Sequence, residues 1–207
     1  MSKKVLHIIS STRGTDSYTI KMGNLIVDKI TESEPAVSVD VLDLSKKLFP
    51  HLSQDQINGF FTPPEHRTPE LAEAIRMSDE AVAQIQEADY IVIGVPMYNF
   101  SITSGLKAYL DHIARAKVTF QYSESGSEGL LKGKKAFIAG GSAGLFTAGP
   151  NKPFDFAIPY LTHFLSFIGI TDVTIFRVEG TAIPGMEEMA LNNAIQNIEK
   201  AFTKTMA

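Results

Sequence analysis

The sequence predicts a three-layer α/β fold in which helices cover both faces of a five-stranded parallel sheet. Two observations carry this. Short apolar runs alternate with segments of helical spacing five times along the chain. The run Tyr90–Val95 (YIVIGV) is apolar on both sides of the pleat, as expected of a strand covered on both faces.

The elements follow in order. Val5–Ile9 reads as the first strand, closed by Ser10-Ser11-Thr12-Arg13-Gly14. A helix follows, capped by Asp16 or Ser17, with apolar residues at Ile20, Leu25, Ile26 and Ile30. Residues 37–44 largely alternate and form the second strand. Residues 45–67 lack a clean period and read as a long excursion marked by Pro50, Gly59, Pro63 and Pro64. Thr68-Pro69-Glu70 opens a helix that runs to about Glu87. Tyr90–Val95 is the third strand, and residues 104–115 are helical. Residues 134–139 form the fourth strand, 153–168 a helix, 173–178 the fifth strand and 186–204 the last helix. Asp111 and Arg115 stand four apart on a helix, as an ion pair or a solvated face. His7 falls within a strand and reads as a satisfied core residue.

Composition narrows the function classes. A chain of 207 residues suits one domain. A net charge of −4 disfavours nucleic acid and anionic membrane as partners. There is no cysteine, which excludes disulfides, thiol catalysis and thiolate metal sites. The histidines form no H-x-x-x-H or H-E-x-x-H pair, so no metal site is expected. The start MSKKVLHIISS lacks the long apolar region of a secretory signal, and no segment has the length of a membrane span. The expectation is a cytoplasmic protein with no membrane partner.

Five strands in a doubly wound sheet suggest the order 2-1-3-4-5, with a ligand at the switch point between the first and third strands. That brings together the loops at residues 10–19, 96–104 and 140–149. The first, SSTRGTDSYT, is rich in hydroxyls and opens a helix, which suits a terminal monophosphate. An ordinary strand-to-helix turn uses the same residue types, and this loop alone leaves both readings open. It is neither a Walker P-loop nor a G-x-G-x-x-G turn. The second, Met97-Tyr98-Asn99-Phe100, is bulky and apolar where a polar turn is the rule. It suits the wall of a site for a flat ring system, with Asn99 for a polar edge. The third, Gly140-Gly141-Ser142-Ala143-Gly144, is small enough for close approach of backbone to a ligand, or is a plain turn.

Three stretches carry a family resemblance: PMYNFSITSGLKAYLDHIARAKVTFQY (96–122), EGLLKGKKA (128–136) and LTHFLSFIGITDV (161–173). With the three loops, they resemble the FMN-dependent NAD(P)H azoreductases and quinone reductases of flavodoxin-like fold, over nearly the whole chain. The resemblance implies a single flavodoxin-like FMN-binding domain over residues 1–207. It implies that Ser10, Ser17, Tyr18 and Thr19 meet the phosphate and ribityl groups of FMN. Met97, Tyr98, Asn99 and Phe100 carry the isoalloxazine, and Gly141, Ser142, Ala143 and Gly144 meet it from the third loop. Phe120, Tyr122 and Phe164 line the substrate side, at the interface of a homodimer. The implied reaction moves two electrons from NADH or NADPH through flavin to a quinone or azo compound, by a ping-pong scheme. Flavin N5 carries the chemistry, so no side chain is assigned as catalytic. One departure stands out: some members place an arginine before two glycines in the third loop, and this chain has none there. The alternative from another class is a non-enzymatic electron carrier on the same fold.

Overall fold

β-branched and apolar residues concentrate in the strands that end up covered on both faces. In β3 (Tyr90–Pro96) every residue after Tyr90 is buried. It pairs in parallel with β1 (Lys4–Ile9) on one side and β6 (Lys135–Gly141) on the other. Outside these lie β2 (Ser38–Asp43) beside β1, and β7 (Asp172–Val178) beside β6. The computed structural model describes residues 2–124 and 126–205.

Helices α1 (Tyr18–Ser33) and α6 (Glu187–Thr205) cover one face, packing on Val5, Val92, Phe137 and Phe176. The other face carries α3 (Pro69–Glu87), α4 (Ser104–Ile113) and α5 (Ile158–Phe167), on Leu6, Ile8, Ile91, Ile93 and Ile138. Each fully buried Ile, Leu or Val here contributes about 1.5–3 kcal/mol of transfer free energy. Of the two candidate caps for α1, Ser17 is the one used; its side chain accepts from the Ile20 amide. Thr68 caps α3 in the same way, through the Leu71 amide.

Several expectations are corrected. The five-stranded sheet has the order β2-β1-β3-β6-β7 in chain numbering. This keeps the sense of 2-1-3-4-5, but two further strands intervene. Those are β4 (Phe120–Ser123) and β5 (Gly126–Gly129), an antiparallel hairpin apart from the main sheet. β5 reads GSEG, which has no strand former, so its pairing left no trace in the pattern. The excursion holds a helix, α2 (Gln54–Phe61), closed by a Ser53–Gln56 capping box. Its eight residues are too few to show a period. α5 starts at Ile158 rather than 153, because Asp155 Oδ1 accepts from the Ala157 and Ile158 amides and sets the start there.

Two anchors fasten the excursion to the end of α4 and the residues just after it. His112 Nε2 bonds to the Pro50 carbonyl at 2.9 Å, and the Arg115 guanidinium lies 4.2 Å above the Phe60 ring. Asp111 pairs with Lys107, and the buried Arg115 pairs with Asp79 at 2.8 Å. His7 is buried on β1, but its Nε2 has no partner among the described residues. Burial lowers its pKa to about 4.

Candidate active site

The carboxyl ends of β1, β3 and β6 meet where the strand order reverses, and their loops are tied together there. The Met97 amide donates to the Gly141 carbonyl at 2.7 Å, joining the second loop to the third. The Thr12 and Tyr98 hydroxyls are 3.4 Å apart, joining the first loop to the second. The Ser142 amide donates to the Val178 carbonyl at 2.9 Å, holding the third loop against β7.

Between the loops is a cavity of about 280 Å³. Ser17, Tyr18, Thr19, Met97, Tyr98, Gly141, Ser142 and Ala143 line it. The Ser17 and Thr19 hydroxyls lie 3.0 Å apart at the N-terminus of α1. Thr19 is also the nearest neighbour of Gly141: a Cβ added there falls 2.7 Å from the Thr19 methyl. Only glycine lets β6 end so close to α1.

The bulky second loop is a tight two-residue turn after all. Tyr98 and Ser101 exchange backbone hydrogen bonds of 2.9 and 3.1 Å. Asn99 and Phe100 between them have φ of +49° and +70°. Left-handed backbone suits Asn and strains Phe, a strain of about 1–3 kcal/mol that tends to mark binding sites. The turn leaves the Asn99 and Phe100 amides without an acceptor among the described residues, and the Ala143 amide is in the same state.

Other expected residues stand back from the cavity. Ser10 is buried and donates its hydroxyl to the Gly94 carbonyl at 2.6 Å. The Gly144 carbonyl accepts from the Ser142 hydroxyl at 2.8 Å, which shapes the third loop. Asn99 lies along a neighbouring groove between α4 and α5. Phe100 stands at the rim, with the Phe146 and Phe154 rings 6.3 and 6.4 Å away.

Phe120, Tyr122 and Phe164 do not reach the cavity of their own chain. α5 starts beside the crevice, where the Phe156 amide donates to the Phe100 carbonyl, and runs away from it for about 15 Å. Phe120 packs on Phe167 at the far end, ring centroids 4.5 Å apart, and Tyr122 stands edge-on to Phe120. Phe164 is buried against Tyr160 along the same helix.

Four further residues line the cavity that the sequence did not assign to it: Ser11, Arg13, Pro96 and Thr181. Arg13 is the one cationic residue between Ser10 and Thr19, a signal that was there to be read. Thr181 comes from the β7–α6 connection, where no local pattern marks it. The arginine absent from the third loop has a neighbour in Arg177 on β7. Its Nη1 reaches Asp155 at 2.8 Å and Glu179 at 3.3 Å, so its charge is met by two carboxylates.

A family model described as flavodoxin-like fold matches residues 3–202. An FMN-dependent NADH:quinone oxidoreductase of Herminiimonas arsenicoxydans is 44% identical over 202 residues, covering 98% of this chain and 94% of the relative. The chain belongs to the flavodoxin-like family of FMN-dependent NADH:quinone oxidoreductases and azoreductases. Among solved members, an azoreductase from Bacillus anthracis superposes with a TM-score of 0.90 at 29% identity, over 98% of this chain and 99% of that one. An FMN-dependent NADH-azoreductase of the same organism, solved in complex with FMN, gives 0.87 at 27% identity, over 99% of both chains.

Proposed function

We propose that this chain is an FMN-dependent oxidoreductase that takes two electrons from NADH or NADPH and delivers them to quinones and azo compounds. The observation that carries this reading is the convergence of three strand-end loops, rich in hydroxyls and free amides, on one cavity at the switch point. The identity to quinone oxidoreductases supports the reaction class, and the solved FMN complex of a family member supports the cofactor. The residues present fit FMN: hydroxyls at the N-terminus of α1 for a phosphate, and a glycine cradle with an apolar turn for a ring system.

When bound, FMN would supply the chemistry of hydride and two-electron transfer. The chain supplies position and charge balance. Ser17, Tyr18 and Thr19 hold the phosphate and ribityl end, and Ser10 braces that loop through Gly94. Met97 and Tyr98 would carry the ring, with Asn99 and Phe100 at the rim of the turn and Gly141, Ser142 and Ala143, shaped by Gly144, on the other side. The free amides of Asn99, Phe100 and Ala143 would be donors to negative charge on the ring. No side chain serves as general acid or base.

The proposal includes a homodimer. Phe120 and Tyr122 of one copy then cover the crevice of the other, lining the substrate side, while Phe164 stays buried within its own chain beneath them. What supports this is exposure: Tyr122 is 76% exposed on its hairpin, and Phe100, Phe154 and Phe156 are exposed at the crevice rim. We also assign the chain to the cytoplasm, in keeping with the absence of cysteine. No helix among the described residues is long and apolar enough to cross a membrane.

The test is a visible spectrum of the protein after FMN loading and desalting, followed by NADH without oxygen and then a quinone. A retained flavin band that bleaches and returns supports both half-reactions. A colourless protein removes the cofactor and the reading with it. Donor and acceptor that take turns in one crevice give parallel double-reciprocal lines; intersecting lines rule out the ping-pong scheme.

A further inference from the structure

The chain has five arginines. Four are committed: Arg67 to the Gly59 and Thr62 carbonyls, Arg76 to Glu73 and Glu80, Arg115 to Asp79, and Arg177 to Asp155 and Glu179. The Arg13 guanidinium has no hydrogen bond or ion pair among the described residues. Its backbone is nevertheless fixed. The Arg13 amide donates to the Ser11 hydroxyl, and the Arg13 carbonyl accepts from the Asp16 amide. A rigid stem thus presents an uncommitted fork of donors. Among the described residues, Arg13 is also the only charged one lining the cavity, beside the hydroxyls of Ser11, Ser17 and Thr19.

A terminal phosphate at this end carries close to two negative charges at neutral pH. Hydroxyls and amides donate to it but leave its charge unbalanced. A guanidinium matches its oxygens with two parallel donors and adds the opposite charge. We propose that Arg13 closes over the flavin phosphate and makes the site select a phosphorylated flavin over riboflavin. This rests on the FMN reading above and adds to it a residue and a basis for selection.

The experiment titrates FMN and riboflavin into the full chain and into Arg13→Gln and Arg13→Lys, read by flavin fluorescence at several salt concentrations. Arg13 is exposed on a loop, so the variants should keep the wild-type melting temperature. The expected result is that Arg13→Gln binds FMN about tenfold more weakly, while riboflavin affinity is unchanged. The salt dependence of FMN binding becomes shallower in Arg13→Gln, and Arg13→Lys recovers part of both effects. An Arg13→Gln protein that binds FMN as tightly as wild type, with the same salt dependence, overturns the proposal and leaves the FMN reading standing. Unchanged FMN affinity with a raised KM for NADH or NADPH also overturns it, and gives Arg13 to the donor's phosphates. A wild-type chain that binds neither flavin overturns the FMN reading itself, and the role of Arg13 falls with it.

Discussion

Gly141 and Thr19 approach so closely that a single methyl added to the first meets the methyl of the second at 2.7 Å. The contact closes one wall of the cavity, where the end of β6 meets the first turn of α1. Gly141→Ala should push the third loop off α1 and weaken FMN binding about tenfold, with little loss of stability. Thr19→Ser removes the opposing methyl and keeps the hydroxyl. The double variant should therefore recover most of the lost affinity, a coupling that a fluorescence titration of the four proteins measures. Independent effects in the double variant would count against the contact.

Tyr109 is fully buried, and its hydroxyl has no partner among the described residues. Its surroundings raise its pKa through burial alone. Tyr109→Phe removes a desolvated polar atom and keeps the ring against Phe49. Stability should rise by about 1 kcal/mol, or a few degrees in Tm. A clear drop in Tm would show that the hydroxyl is hydrogen-bonded.

His7 gives stability a pH dependence. Burial holds its folded pKa near 4, below the 6.5 of an exposed histidine. Above pH 6.5 the ring is neutral in both states and nothing is lost. As pH falls from 6.5 towards 4, the unfolded chain takes up a proton that the folded chain refuses. Stability then declines by about 3 kcal/mol over that window. Urea unfolding at pH 7.5 and pH 5 should show about 2 kcal/mol of this decline, and His7→Leu should remove most of it. An unchanged slope in the variant would exclude His7 as the cause.

Gly129 is pressed against the turn after α5, and a Cβ there falls 2.0 Å from the Gly169 nitrogen. Backbone cannot yield as a side chain can. Gly129→Ala should cost about 3 kcal/mol or detach the β4–β5 hairpin. Hydrogen exchange read along the chain separates the two: detachment speeds exchange around residues 119–131 and leaves the sheet protected.

The core was legible because it obeys simple periods. Val5, Ile91, Ile93 and Ile138 sit in continuous apolar runs, and such runs between helices imply a parallel sheet. The caps Ser17 and Thr68 were legible because one hydroxyl meets one free amide at short range. What escaped was decided at long range. The β4–β5 hairpin forms because Gly129 and Gly169 allow two backbones to touch, not because GSEG favours a strand. Asn99 and Phe100 adopt left-handed backbone because Tyr98 and Ser101 pair across them, against the preference of phenylalanine. Arg13 and Thr181 reach the cavity through the fold, and only the first left a mark in its own segment.

The hairpin and the crevice lie at opposite ends of α5, and no side chain is shared between them. Substitutions at the two ends should therefore act additively on stability. On the hairpin the exposed Tyr122 can change without disturbing the core, whereas Gly129 is held by its contact with Gly169 and Gly141 by its contact with Thr19. Within one chain the switch-point loops and the outer surface of the hairpin are thus two separately built regions, joined only through the length of α5.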